Sequence, residues 1–394
     1  MSDPWLSIIG IGEDGLPGLS RQSQEVLDAA EVIFGGPRHL ELGNAGNRGQ
    51  AWAVPFSIEP VLALKSRKVA MLVSGDPFCF GAGSSVTAHL TCDDWVAYPA
   101  PSTFSLACSR LGWRLEKTHT FGLHATPFSH LRPVLSDGVQ IICLMRDGMA
   151  PSELAQWLDA QGFGETIMTI LEALGGPREK LRVQKASNYA LTDVTAPVAV
   201  ALQLRGRGMS RASGLPDDAF HSDGQITKRP VRAMTLSALA PRDGEILWDL
   251  GAGSGSISVE WCLSAPDCKA FAVERQAKRV ANITRNIADF GLEQRMQVHQ
   301  GTTLELMATL PDPNVVFIGG GATAEVLDQL WDRLPLGARL VVNSVTLETE
   351  ALLINRHQEH GGQLMRLAIS EVGPLGSMRG WESARPVVQW SVTR

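Results

Sequence analysis

Twice along this chain an apolar run breaks into closely spaced glycines. The first reads Leu6-Ser7-Ile8-Ile9-Gly10-Ile11-Gly12, the second Ile246-Leu247-Trp248-Asp249-Leu250-Gly251-Ala252-Gly253-Ser254-Gly255. A strand that ends in such a turn and feeds a helix brings bare backbone close to a nucleotide-like ligand. Glu274 ends the next apolar run after the second turn, 19 residues beyond Gly255. A carboxylate there can take both hydroxyls of an adenosine ribose. The chemistry within reach of these residues is therefore the binding of an adenosine-bearing cofactor, at two separate places.

Three readings of the second turn compete. Nicotinamide and flavin proteins use Gly-x-Gly-x-x-Gly, but here Gly251, Gly253 and Gly255 give Gly-x-Gly-x-Gly, and Ser256 occupies the third glycine's place. The acid followed by Gly-x-Gly-x-Gly resembles motif I of class I S-adenosylmethionine (SAM) methyltransferases. The bland reading is a structural turn in an inactive Rossmann-like domain. Gln300-Gly301-Thr302-Thr303, Gly319-Gly320-Gly321 and Asn343-Ser344-Val345-Thr346 also follow apolar runs. Three consecutive glycines after a buried strand imply close approach of a ligand or of backbone. The first turn has no such acid and no phosphate-binding lysine, so it is not a P-loop. Two further loops belong with it: Ser74-Gly75-Asp76-Pro77, where Gly75 and Pro77 fix a tight turn that aims Asp76, and Pro99-Ala100-Pro101-Ser102-Thr103, where Ser102 or Thr103 can cap a helix over Phe104–Leu111.

Other chemistries lack residues in the right pattern. The six cysteines at 79, 92, 108, 143, 262 and 268 form no Cys-x-x-Cys pair, which reads as idle or buried thiols in a reducing cytoplasm. His119, His124 and His130 are loosely clustered, and His357 and His360 flank an expected helix end; neither group has the spacing of a metal site. No metal is expected.

The elements that must position these turns fall into two sets. Residues 1–204 show strand patterns at Leu6–Ile11, Val69–Ser74, Trp95–Tyr98, Gln140–Met145, Glu165–Ile170 and Val198–Leu204, with helical stretches such as Ser20–Ala30 and Ser152–Ala160 between them. Residues 205–224, rich in Gly, Arg and Ser, read as a linker. From 225 to 394 strands are expected at Ile246–Leu250, Ala270–Glu274, Met296–Gln300, Val315–Ile318, Leu340–Ser344 and Leu364–Ser370, with helices such as Arg275–Phe290 and Thr323–Leu334. The alternation predicts α/β domains, the second with a doubly wound sheet that binds ligand at the carboxyl ends of its strands.

Bulk properties narrow the function class. A chain of 394 residues exceeds one typical core and predicts two domains. With 35 basic and 41 acidic residues the formal net charge is −6, against a broad nucleic-acid-binding face. No apolar run has the length of a membrane span, and the N-terminus does not read as a signal peptide.

Taken together, these residues resemble a known fusion. Residues 8–42, 68–83, 98–124 and 140–204 resemble the tetrapyrrole methylase family, in its CbiE-type branch, through the N-terminal Gly-Ile-Gly, Phe34-Gly35-Gly36-Pro37-Arg38-His39-Leu40, Ser74-Gly75-Asp76-Pro77 and Pro101-Ser102-Thr103-Phe104. Residues 225–394 resemble the CbiT type, through Gln225-Ile226-Thr227-Lys228-Arg229-Pro230-Val231-Arg232, the second glycine turn, Val316-Phe317-Ile318-Gly319-Gly320 and Val341-Val342-Asn343-Ser344-Val345-Thr346-Leu347-Glu348. Two positions depart from the pattern: Ala100 replaces a frequent glycine, and Gly122-Leu123-His124-Ala125 replaces Ser-Leu-His-Gly.

The resemblance implies a tetrapyrrole methylase fold of two α/β subdomains followed by a class I Rossmann-like methyltransferase. It implies one SAM per domain and a role in cobalamin biosynthesis: methylation of precorrin-6B at carbon 5 by the first half, and at carbon 15, with decarboxylation of the carbon 12 acetate, by the second, giving precorrin-8. SAM would contact Gly10, Gly12, Ser74, Gly75, Asp76, Pro77, Ser102 and Thr103 in the first half. In the second it would contact Thr227, Gly251, Ala252, Gly253, Ser254, Gly255, Glu274, Gly301 and Thr303. A homo-oligomer, dimer or tetramer, is implied as well. A polycarboxylate substrate on an acidic protein needs local cations, and Lys228, Arg229, Arg232 and Arg379 are candidates to clamp its acetate and propionate arms. No catalytic side chain is implied, because methyl transfer from a sulfonium needs neither a metal nor a protein nucleophile. Competing readings are a SAM methyltransferase acting on RNA or protein, an NAD(P)-linked oxidoreductase of siroheme type, and a non-catalytic SAM or tetrapyrrole sensor.

Overall fold

A computed structural model describes residues 4–65 and 67–394. The chain separates into two compact units, one made of residues up to 128 together with 134–208, the other of 129–133 together with 209–394.

The first unit contains two sheets. In one, β1 (Leu6–Ile11), β2 (Val32–Gly35), β3 (Gly49–Ala51), β4 (Val69–Ser74) and β5 (Trp95–Tyr98) lie all parallel in the order β3-β2-β4-β1-β5. Strands covered on both faces must be apolar at successive positions, and Ile8, Ile9, Met71 and Leu72 are all fully buried. In the other, β6 (His119–Leu123), β7 (Gln140–Met145), β8 (Ile167–Glu172), β9 (Lys180–Lys185) and β10 (Val198–Gln203) take the order β6-β7-β10-β8-β9, with only the β6–β7 pair parallel.

Strand β8 runs two residues further than the apolar pattern predicts and ends on a buried acid. Glu172 is tolerated inside because Arg182 (2.7 Å) and the Thr195 amide (2.8 Å) donate to it. The apolar pattern does not predict strands β2, β3, β6 and β9; β9, Lys-Leu-Arg-Val-Gln-Lys, alternates as a half-exposed edge strand does.

The second unit is built on a seven-stranded sheet. Strands β11 (Ile246–Leu250), β12 (Lys269–Glu274), β13 (Met296–Gln300), β14 (Val315–Ile318) and β15 (Arg339–Ser344) are parallel, in the order β13-β12-β11-β14-β15. The sheet continues through two antiparallel strands, β19 (Val387–Thr393) beside β15 and then β16 (Gln363–Leu367) at the edge. Between them β17 (Ser370–Leu375) and β18 (Met378–Ser383) form a separate hairpin, so the single strand expected over Leu364–Ser370 is two. Strand β19 (Val387–Thr393), not expected from sequence, is largely buried. Its polar Gln389 masks the apolar run, yet inside the protein it donates to Asn343 Oδ1 (2.9 Å).

The segment read as a linker packs on the second unit. Leu215 and Phe220 are buried in its core. Glu260, on the helix Ser256–Ser264, accepts the amides of Gly214 (2.6 Å) and Leu215 (2.9 Å). Low apolar content hides this attachment, because backbone amides rather than side chains carry much of it.

Candidate active sites

In the first unit three loops meet at the carboxyl ends of β1, β4 and β5. The Gly75 amide donates to Ile11 (3.1 Å) and the Ala100 amide to the Gly75 carbonyl (3.2 Å). A Cβ on Gly10 would fall onto the Gly75 carbonyl and lie 2.7 Å from the Ala100 nitrogen, so only glycine lets the loops close. Gly75 has φ +57°, in the left-handed region. Ser102 caps the helix Thr103–Leu111 by accepting the Ser105 amide at 3.1 Å.

These loops border a cavity of about 370 Å³. Gly12, Ser74, Gly75, Ser102 and Thr103 line it, as do Arg38, His39 and Glu13. Gly10, Asp76 and Pro77 support it from behind: Gly10 by close packing, Asp76 by accepting the Phe78 amide (2.9 Å), Pro77 by accepting the Gly83 amide (3.1 Å). Arg38 Nη2 donates to Ser74 Oγ (2.9 Å) and to His39 Nε2 (3.0 Å), and His39 Nε2 lies 2.8 Å from Ser74 Oγ. Burial, reinforced by the Arg38 charge, pushes the His39 imidazole down to about 4. Arg38 and His39 were seen in sequence only as part of a motif; their place just after the strand Val32–Gly35 is the signal that marks them.

In the second unit the crevice lies between β11 and β14, where the strand order reverses and ligands of doubly wound sheets bind. Gly251 follows β11 with φ +73°, and a Cβ there would lie 2.6 Å from the Gly320 carbonyl. Gly319, Gly320 and Gly321 present exposed backbone across from it. Gly251 and Ala252 donate to the Val273 carbonyl, both at 3.0 Å, Gly255 donates to Ala252 (2.8 Å), and Ser254 offers its carbonyl to Asn286 (2.9 Å). Glu274 ends β12 with Oε2 3.0 Å from the Gly253 amide, and the Gly301 amide donates to the Glu274 carbonyl (3.1 Å). Thr303 opens the short helix that Thr302 and Glu305 close with reciprocal caps. Asp249 is buried beneath the turn, held by the Ser258 hydroxyl at 2.6 Å, with Oδ1 unpartnered. Burial raises its carboxyl to about 6. An orphaned buried oxygen under a bare-backbone cradle, with an acid at the next strand end, fits an adenosine-bearing cofactor.

The cationic candidates separate. Lys228 and Arg229 are exposed, Lys228 at 3.5 Å from Asp217. Arg379 lies on strand β18 and is exposed. Arg232 departs from expectation. It is 0% exposed, and its guanidinium donates to Glu260 (2.6 Å), Asp217 (3.1 Å) and the carbonyls of Leu215 and Thr227. With its donors committed inside the protein it is an internal strut, not a clamp for substrate. Thr227 is positioned by that same strut. Among the described residues no group of three or more His, Cys, Asp or Glu side chains is arranged to hold a metal.

Comparison with known proteins covers nearly the whole chain. Residues 6–190 match the Tetrapyrrole (Corrin/Porphyrin) Methylases and residues 218–394 the Precorrin methyltransferase domain. The precorrin-6Y C(5,15)-methyltransferase [decarboxylating] of a Sinorhizobium species is 42% identical over 99% of this chain and 97% of its own. The protein of the same name from Mycobacterium tuberculosis H37Rv is 38% identical over 98% and 99%. The crystal structure of the C-terminal domain of precorrin-6Y C5,15-methyltransferase from Rhodobacter capsulatus, at 53% identity, covers 47% of this chain and 100% of that one, with a TM-score of 0.46.

Proposed function

Because this chain belongs to the family of decarboxylating precorrin-6Y C(5,15)-methyltransferases, we propose that it methylates precorrin-6B at carbons 5 and 15 and decarboxylates the carbon 12 acetate, giving precorrin-8 in cobalamin biosynthesis. The structural observation that carries the reading is the pair of glycine cradles, one in each unit, both at the carboxyl ends of parallel strands. Each cradle is assigned one SAM: the carbon 5 step to the unit within residues 1–204, the carbon 15 step and the decarboxylation to the unit within 225–394.

SAM supplies a methyl group on a sulfonium. The chain's own residues hold, align and desolvate. In the first unit the backbone of Gly12 and Gly75 and the hydroxyls of Ser74, Ser102 and Thr103 border the cavity. In the second, Gly251–Gly255 bring backbone close, Glu274 takes ribose hydroxyls, and Thr227, Gly301 and Thr303 border the adenosine. Holding two reactants in line supplies up to roughly 7–11 kcal/mol of the barrier reduction. Exposed Lys228, Arg229 and Arg379 meet the carboxylate arms.

We read the protein as a cytoplasmic homo-oligomer. Six unpaired cysteines agree with a reducing compartment, no described helix is long and apolar enough to cross a membrane, and the β17–β18 hairpin exposes Leu375, Met378 and Trp381. The deciding experiment is a mass spectrum of the product from SAM and metal-free precorrin-6B. Two added methyl groups with one carbon dioxide lost support the assignment; an unchanged mass with SAM bound refutes that substrate.

A further inference from the structure

Two charged side chains, Glu13 and Arg38, line the cavity of the first unit, a third, Arg178, stands beside Glu13 on the solvent side, and their charges do not cancel. Glu13 follows β1, its side chain only 8% exposed. Arg38 pairs with Glu13 Oε1, and Arg178 Nη2 stands 3.6 Å from Oε2. Among the described residues Glu13 is the only carboxylate on the cavity wall. One carboxylate between two guanidiniums leaves a net positive charge, and His39, held neutral by burial, does not alter it.

Arg38 is held by its neighbours, and Arg178 is carried on a loop that is itself fixed. Arg only donates, so His39 Nε2 is the unprotonated nitrogen where Arg38 meets it. The Ser74 hydroxyl accepts from Arg38 and donates its own hydrogen bond to that same nitrogen. Arg178 is placed by the loop after β8. A Cβ on Gly176 would lie 2.8 Å from the Glu13 carbonyl, so this loop rests directly on the one after β1. Glu179 fixes it further, accepting the Gly175 amide (2.6 Å) and pairing with Arg110 (2.6 Å). Arg178 itself stays 68% exposed, on the solvent side, where the rim of a large ligand would lie.

We propose that Arg38 and Arg178, bridged by Glu13, form a carboxylate clamp for one acetate or propionate arm of the macrocycle in the first unit, with His39 and Ser74 positioning Arg38. The inference rests on the proposed function, since it requires the macrocycle to enter this cavity. The exposed Arg178 can offer its planar guanidinium fork to a carboxylate in two-point contact, which a point charge cannot, while Arg38, its Nη atoms engaged by Glu13, Ser74 and His39, adds positive charge and its remaining N–H donors. The methionine carboxylate of SAM offers the same chemistry, and the experiment separates the two sources.

The test uses the full chain, with Arg178→Gln, Arg38→Gln and Arg38→Lys. Initial rates are followed by mass for the methylation that retains all carboxylates, SAM Kd is measured by calorimetry, and macrocycle Kd by absorbance titration. Arg178→Gln and Arg38→Gln are expected to raise the macrocycle KM and Kd for this step about tenfold or more, with SAM Kd unchanged. Arg38→Lys should recover only part of the loss. The second unit's decarboxylating step, intact in each variant, reports a folded chain, and exposed Arg178 can be replaced without unsettling the core. A weakened SAM Kd with unchanged macrocycle KM overturns the proposal, because the carboxylate is then the cofactor's. Unchanged values throughout also overturn it while leaving the proposed function standing. A wild type that binds the macrocycle without methylating it refutes that function, and the clamp is then judged by the variants' binding; a wild type that does not bind it sinks both.

Discussion

Arg232 and Glu260 form an ion pair, Nε to Oε1 at 2.6 Å, between side chains 0% and 3% exposed. Glu260 also takes two backbone amides and Arg232 two backbone carbonyls. Removing one partner of a buried pair leaves the other charged and unsatisfied, at a cost of about 3–5 kcal/mol. Arg232→Ala is therefore expected to lower the melting temperature of the second unit sharply. A calorimetric trace unchanged from wild type, with only substrate KM raised, would return Arg232 to the role of a clamp.

Gly251→Ala must place a Cβ against the Gly320 carbonyl in a left-handed conformation, a strain of about 1–3 kcal/mol. Misplacing reactants by one ångström can cost about a hundredfold in rate. The variant should lose the decarboxylating methylation by at least that factor and keep the other methylation. Products separated by mass decide the matter; equal loss of both steps contradicts independent cradles.

Glu274→Ala removes the carboxylate assigned to the ribose. Hydrogen bonds to a charged group contribute about 1.5–3 kcal/mol, so SAM Kd at one of two sites should weaken about tenfold to a hundredfold. Calorimetry that still resolves two sites of wild-type affinity excludes this role.

The pH dependence of the first unit should carry a histidine signature. His39 is lowered in the folded state from an ordinary 6.5 to about 4. Below 6.5 the unfolded chain takes up a proton that the folded one refuses, so this group's contribution is full at neutral pH and lost as pH falls from about 6.5 to about 4. His39→Gln should flatten that part of the melting-temperature profile. Direct titration of the imidazole by NMR near 6.5 would contradict the buried, Arg38-facing environment.

Leu375 and Trp381, 68% and 75% exposed on the β17–β18 hairpin, are expected to be covered in a homo-oligomer. Replacing both with Ser should reduce the mass seen by light scattering. An unchanged mass places the contact elsewhere.

Sequence and structure agree best where apolar runs are buried on both faces. Strands β1, β4, β11 and β14 appear at the residues expected, because continuous apolar runs bounded by glycine admit few alternatives. The glycine turns were legible for the same reason: close backbone approach excludes a side chain whatever surrounds it. Partnered polar groups were not. Gln389 interrupts β19 until Asn343 is seen beside it, and Arg232 reads as a surface cation until Glu260, 28 residues on, is seen to neutralise it. Nor does any spacing reveal that Glu13, Arg38 and Arg178 converge, since two separate loops and the first turn of the helix Pro37–Leu42 bring them together.

The bonds from Glu260 to Gly214 and Leu215 also limit where this fused gene can be divided. A second half beginning at residue 225 starts with Leu215 and Phe220 missing from its core, with Glu260 stripped of two amides, and with Arg232 lacking Asp217. A workable breakpoint lies ahead of Gly214, close to the boundary at 208 and 209. The compositionally plain stretch after it travels with the second enzyme as its first structural layer, so halves expressed apart should carry it there.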